Sequence, residues 1–227
     1  MYLIAFIHEC SHVLAALIFK IKVLKIKFLP FGFEAQFDNF EQHKWYKQLI
    51  VVISGPLSFF ITYFLLELFY TKGLFSYYGF QVANNSNLFV ALFNIIPFYP
   101  LDGGRAVDIV VAAFFSEKKT RVIRYIVSLF ALIGIGIVSI YLKQIPLLCY
   151  IFVMYVFQLI TCKKDYIVFL LSRLYADKNR KVKLVDKDEI YRYRRCVKMT
   201  KNGIEDEPKI ITKLLLRLKA GKKRLFK

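Results

Sequence analysis

The chain is short of histidine (three), cysteine (four), tryptophan (one) and acid, with 16 Asp and Glu against 34 Lys and Arg in 227 residues. No cysteine pair has C-x-x-C spacing, which excludes a zinc knuckle and a dithiol redox motif. Cys10, Cys149 and Cys162 lie in apolar runs and read as small hydrophobes, and Cys196 falls in the basic C-terminal segment. There is no internal repeat, no low-complexity segment beyond the basic tail, and no recognisable nucleic-acid-binding motif. Polar surface is scarce as well. Hydrophobic residues make up 57%, against roughly 45–50% in a soluble domain, and the mean hydropathy is +0.46. An ordinary soluble enzyme, a disulfide-stapled secreted domain and a disordered chain are all excluded. What remains is a membrane protein with a basic end.

Apolar stretches run over 2–19, 49–70, 88–115, 122–142 and 145–162. Each is close to the roughly 20 residues a membrane crossing needs. The fold class expected is therefore an α-helical polytopic membrane protein of about five transmembrane segments. Lysines and arginines crowd the connections after the first and third stretches, and single lysines (Lys72, Lys143) follow the second and fourth. By the positive-inside rule the first connection, the third connection and the tail are cytoplasmic. The 163–227 segment carries 21 Lys and Arg against 8 Asp and Glu. Two regions follow: a membrane core over 1–162 and a basic cytoplasmic tail over 163–227. Residues 73–78 and 83–87 read as external loop. No basic residue precedes Lys20, so the first stretch is not a signal peptide.

Between the first two spans the texture changes. Over about 21–37 apolar and charged residues alternate, with a Pro30–Gly32 break, which reads as a short cytoplasmic β-hairpin. An irregular basic loop on lipid headgroups is the alternative.

Ionisable side chains inside a span are costly and mark function. The first span holds His8-Glu9-Cys10-Ser11-His12. At about 100° per residue, His8 and His12 fall roughly 40° apart on one helix face, where two imidazoles reach a single zinc ion. Glu9 on the edge of that face is placed to take a proton from metal-bound water. A catalytic zinc wants a third protein ligand. Asp102, a carboxylate in a long apolar segment followed by Gly103 and Gly104, is the best candidate. His43 looks interfacial, and Glu67 sits near the outer end of its span.

His8-Glu9-x-x-His12 followed by Asn94-x-x-Pro97-x-x-x-Leu101-Asp102-Gly103 resembles the site-2 protease family of intramembrane zinc metalloproteases. Phe28–Gly32, Ser54-Gly-Pro-Leu57 and Tyr99–Gly104 add to the likeness, which covers about residues 4–174. The resemblance implies a Zn2+ cofactor held by His8, His12 and Asp102, Glu9 as the catalytic base, and Asn94 and Pro97 lining a substrate groove. It implies hydrolysis of a peptide bond in or near the membrane segment of a protein, with a sporulation sigma-factor precursor as substrate and membrane-bound inhibitory partners. The setting is a bacterial cell membrane, including the one around a forespore. Family members start with a span before the H-E-x-x-H helix, so an upstream segment is expected. Many end in a nucleotide-sensing domain; the tail from 181 on is short and basic, with a short amphipathic helix at 214–218 at best, which argues against nucleotide sensing. The tail is expected to touch anionic lipid or a substrate's cytoplasmic part, and no nucleic acid. Two rivals stand. An ion transporter predicts inverted repeats, which are not visible; a non-catalytic relative would bind partners without cutting them.

Overall fold

The computed structural model describes residues 2–29, 32–38, 40–141, 143, 145–174, 182–200 and 203–224. The Pro30-Phe31 break and tail residues 175–181 lie outside that set. Two compact units divide the chain, residues 1–110 and 111–227.

In the first unit, α1 (Tyr2–Ile18) leads into the antiparallel pair β1 (Val23–Leu29) and β2 (Gly32–Phe37), followed by a 3-10 turn at Phe40–Gln42, α2 (Trp45–Thr71) and α3 (Tyr77–Ile95). Gly73, at φ 72°, ends α2 in the left-handed conformation that glycine adopts without strain. Its N–H returns to Tyr70 O at 2.9 Å, and Leu74 N–H to Phe69 O at 3.0 Å. Three residues on, the Ser76 hydroxyl accepts the Gly79 N–H and starts α3. The short connection makes α2 and α3 an antiparallel pair, zipped by Phe80 against Tyr63 and Tyr70.

Residues 83–87, read from the sequence as external loop, lie within α3. Of their polar side chains, Asn87 is buried against the neighbouring helix, its Nδ2 donating to Phe59 O at 3.0 Å. The third apolar stretch is accordingly two helices. α3 ends at Ile95, and α4 (Asp102–Phe114) begins after the break that Pro97 and Pro100 impose.

α2 is built inside out. Its buried stripe includes Gln48, Gly55, Ser58 and Thr62, while Phe60, Ile61 and Phe64 are each more than 60% exposed. α5 (Glu117–Tyr141) repeats the pattern, burying Glu117, Thr120, Arg121, Arg124 and Ser128 and exposing Phe130, Ile137 and Ile140. Water would reject such surfaces, whereas lipid accepts them and forces polar groups inward. Among the described residues, α2 and α5 are the two helices long and apolar enough to cross a membrane.

The second unit joins α5 and α6 (Ile145–Leu174) to a small folded module. It comprises β3 (Val182–Leu184), β4 (Arg195–Thr200), β5 (Gly203–Asp206) and α7 (Glu207–Arg224), with β3–β4 parallel and β4–β5 antiparallel. Phe169 and Leu170 of α6 share one core with Val185, Ile190, Cys196, Ile210 and Ile211. The tail helix is thus 18 residues long, not confined to 214–218. α6 runs on past Cys162 because Phe169, Leu170 and Arg173 recur at helical spacing and are buried.

Candidate metal centre

α1 presents His8 and His12 to α2, and both imidazoles are over nine-tenths buried. The helices are clasped beside them. The Ser11 hydroxyl donates to Ser54 O at 2.9 Å, and the Ser54 hydroxyl to Ser11 O at 3.1 Å. Gly55 makes the approach possible. A Cβ at that position would lie 2.3 Å from His12 Cε1 and Nε2 and 2.8 Å from His8 Cε1. The glycine is therefore a hollow that the two rings fill.

Asp102 enters from the first turn of α4, where a carboxylate suits the positive end of the helix dipole. The 96–101 loop folds tightly beneath it. Cβ atoms at Gly103 and Gly104 would meet Ile95 O at 2.0 Å and Phe98 C at 2.4 Å. Asp102 Oδ2 lies 2.9 Å from His8 Nε2 and 3.2 Å from His12 Nε2, and the two Nε2 atoms are 3.3 Å apart. Ligands at about 2.0–2.1 Å from a tetrahedral zinc are separated by roughly 3.3 Å, so the three donors stand at nearly the edge lengths of one zinc tetrahedron.

The tautomer points the same way. His12 Nδ1 meets the carbonyl of Val51 at 2.7 Å. A carbonyl only accepts, so Nδ1 carries the hydrogen and Nε2 of the neutral ring is bare. That lone pair faces a carboxylate oxygen in a buried site, an arrangement that a cation or an added proton must relieve. Orientation of a ligating imidazole by a backbone carbonyl is also the usual outer support of a zinc ligand. These residues fit a zinc ion with three protein ligands.

Glu9, half-buried next to His8, accepts the N–H of Ala35 on β2 at Oε1. Asn94 and Pro97 are not part of the cluster. Asn94 turns its amide onto Val90 O in its own helix at 2.9 Å, and Pro97 is exposed in the loop after α3. His43 and Glu67 also stay outside the group, which among the described residues consists of His8, His12 and Asp102. Sequence reasoning gave no site role to Gly55 or Ala35. A glycine in mid-span, within the Ser54-Gly-Pro-Leu57 run, was the signal for the first, and nothing in its residue type marks the second.

The first unit thus combines helices with a buried cluster of two histidines and one aspartate at metal-ligand separations. Known proteins add to this. The chain is 25% identical over 187 residues to stage IV sporulation protein FB of Bacillus subtilis, covering 79% of this chain and 64% of the relative. It is 28% identical over 145 residues to a zinc metalloprotease of Methanocaldococcus jannaschii, covering 59% of this chain and 42% of the relative. The fold matches the solved structure of a site-2 protease from the same archaeon with a TM-score of 0.52 and 24% identity, over 68% of this chain and 71% of that one. No protein-family model matches. The chain thus shares its fold with a site-2 protease and about a quarter of its aligned residues with two curated proteins, spanning less than two thirds of the length of each of those two.

Proposed function

We propose that the chain is an intramembrane zinc endopeptidase that hydrolyses a peptide bond in or near the membrane segment of a protein. The observation that carries this reading is the meeting of His8, His12 and Asp102 at zinc-ligand separations, with Glu9 in the same helical turn. Zinc bound there supplies polarisation of a carbonyl and a water of lowered pKa. The chain's own residues do the rest. Glu9 takes the proton from the attacking water and passes it to the leaving amine. Gly55 gives the imidazoles room, and Val51 O keeps His12 Nε2 bare. Asn94 and Pro97, beside the broken backbone that leads to Asp102, line the groove for an unwound substrate strand. Such unwinding is needed because a helix hides its carbonyls in its own hydrogen bonds.

Five membrane crossings with a cytoplasmic hairpin and tail complete the proposal, residues 1–162 forming the core and 163–227 the tail. The net positive tail rests on anionic headgroups. The motif resemblance suggests a sporulation sigma-factor precursor as the substrate to try first, with membrane-bound inhibitors as regulators, and one relative carries a sporulation name.

The test is co-expression with that precursor, comparing wild type with Glu9→Gln and measuring zinc in both. Cleavage by wild type alone, at equal zinc, supports both the protease and its base. Cleavage by both removes Glu9 from the mechanism, and protein without zinc in either case removes the metalloprotease.

A further inference from the structure

β2 runs alongside α1 in step with it. Phe37 packs on the cluster of Ala15, Ala16, Ile21 and Val51, Ala35 donates its N–H to Glu9, and Phe33 meets Phe6 edge-on with ring centroids 5.2 Å apart. From Phe33 to Phe37 a strand advances about 13 Å at roughly 3.3 Å per residue. From Phe6 to Ala15 a helix advances about 13.5 Å at 1.5 Å per residue. The two lengths agree, so strand and helix keep step, and the Glu9 contact falls between Phe33, which meets Phe6, and Phe37, which packs on the cluster. Ala35 is 5% exposed, which keeps water from replacing its N–H. Its pairing partner across the hairpin is Ile26, while its N–H is directed to α1.

We propose that Ala35 is a positioning residue that acts through Glu9. Its main-chain N–H fixes Oε1 and so orients the carboxylate, leaving Oε2 to take the proton. A main-chain donor suits the task, since it neither ionises nor swings away as a side chain does. The proposal rests on the protease reading above for its functional meaning, but the contact itself is tested without it.

Two substitutions in the full chain separate the N–H from the methyl group. Ala35→Pro removes the donor, and Ala35→Gly keeps it. With the sigma-factor precursor as substrate, Ala35→Pro lowers kcat about tenfold or more at unchanged KM and zinc content, and Ala35→Gly restores most of it. Wild-type kcat in Ala35→Pro, or an equal loss in Ala35→Gly, overturns the proposal. Amide hydrogen exchange on zinc-free protein supplies a readout that survives a misfolded proline variant or the wrong substrate. The Ala35 amide should exchange about tenfold faster or more in Glu9→Ala than in wild type, and equal rates overturn the contact. Failure of wild type to cleave, with this exchange difference intact, counts against the protease reading and not against the contact.

Discussion

At Gly55 a single added methyl would sit 2.3 Å from two atoms of His12, far inside van der Waals contact. The rings cannot give way, because Val51 O holds one and Asp102 both. Gly55→Ala is therefore expected to cut zinc content at least tenfold while the helices still form, measured by metal analysis and circular dichroism on purified protein. Asp102→Asn takes away the one formal negative charge among the three donors and should weaken zinc binding in a chelator competition; unchanged affinity would remove Asp102 from the ligand set. Gly103→Ala acts differently, pushing a methyl into Ile95 O. It should lower thermal stability by ~1–3 kcal/mol through overpacking. The sequence displays His8, Glu9, His12 and Asp102 because each brings chemistry into an apolar run, where chemistry is conspicuous. Gly55 contributes only space and Ala35 only a backbone donor, and neither has a signature in residue type.

Among the elements, the tail shows how composition hides structure. Its 21 basic residues read as a solvated appendage, yet several of them are internal fasteners. Arg173 of α6 donates to the carbonyls of Tyr191, Arg192 and Arg194 and pairs with Glu207 at the start of α7. Arg192 makes two bonds to the fully buried Glu117 at the start of α5. Arg173→Ala would leave Glu207 buried without its guanidinium partner and take a donor from three carbonyls, at a cost of ~3–5 kcal/mol. Limited proteolysis should then cut between 182 and 206 far faster than in wild type, and equal cutting rates would show that the fastener does not matter. The short strands β3 to β5 escaped the sequence reading because each is only three to six residues long and too charged to alternate cleanly. The middle of α3, residues 83–87, departs from the loop reading for a related reason: asparagines signal loops in water, yet Asn87 bonds across to Phe59 O of α2.

For the molecule as a whole, the apolar outer faces of α2 and α5 and the tail module impose different demands, since those faces suit lipid whereas the module is held by a core shared with α6 and by ion pairs to α5 and α6. The module's pH limits can be stated from two groups lying outside the proposed spans. Asp188 is held below its ordinary range, first by the hydrogen bond from Lys198 at 2.7 Å and also by Arg217 at 2.8 Å. A depressed carboxylate contributes stability above its unfolded value, about 3.9, and loses it as pH falls through the folded value. At the other end, burial pushes the Cys196 thiol up to about 11. That contribution is complete below the unfolded value of roughly 8.5–9 and fades as pH rises toward the folded one. These two groups therefore remove stability from the module below about pH 4 and above about pH 9, while Glu207, raised by burial, works the other way as pH rises out of the acid range. Asp188→Asn should reduce the acid fall and leave the alkaline limb unchanged, and Cys196→Ala should do the reverse. Denaturant melts followed through the tail at a series of pH values test this. A wild-type profile with no fall at either end would mean that these contacts do not hold the module together, leaving its basic surface as the main influence on its behaviour.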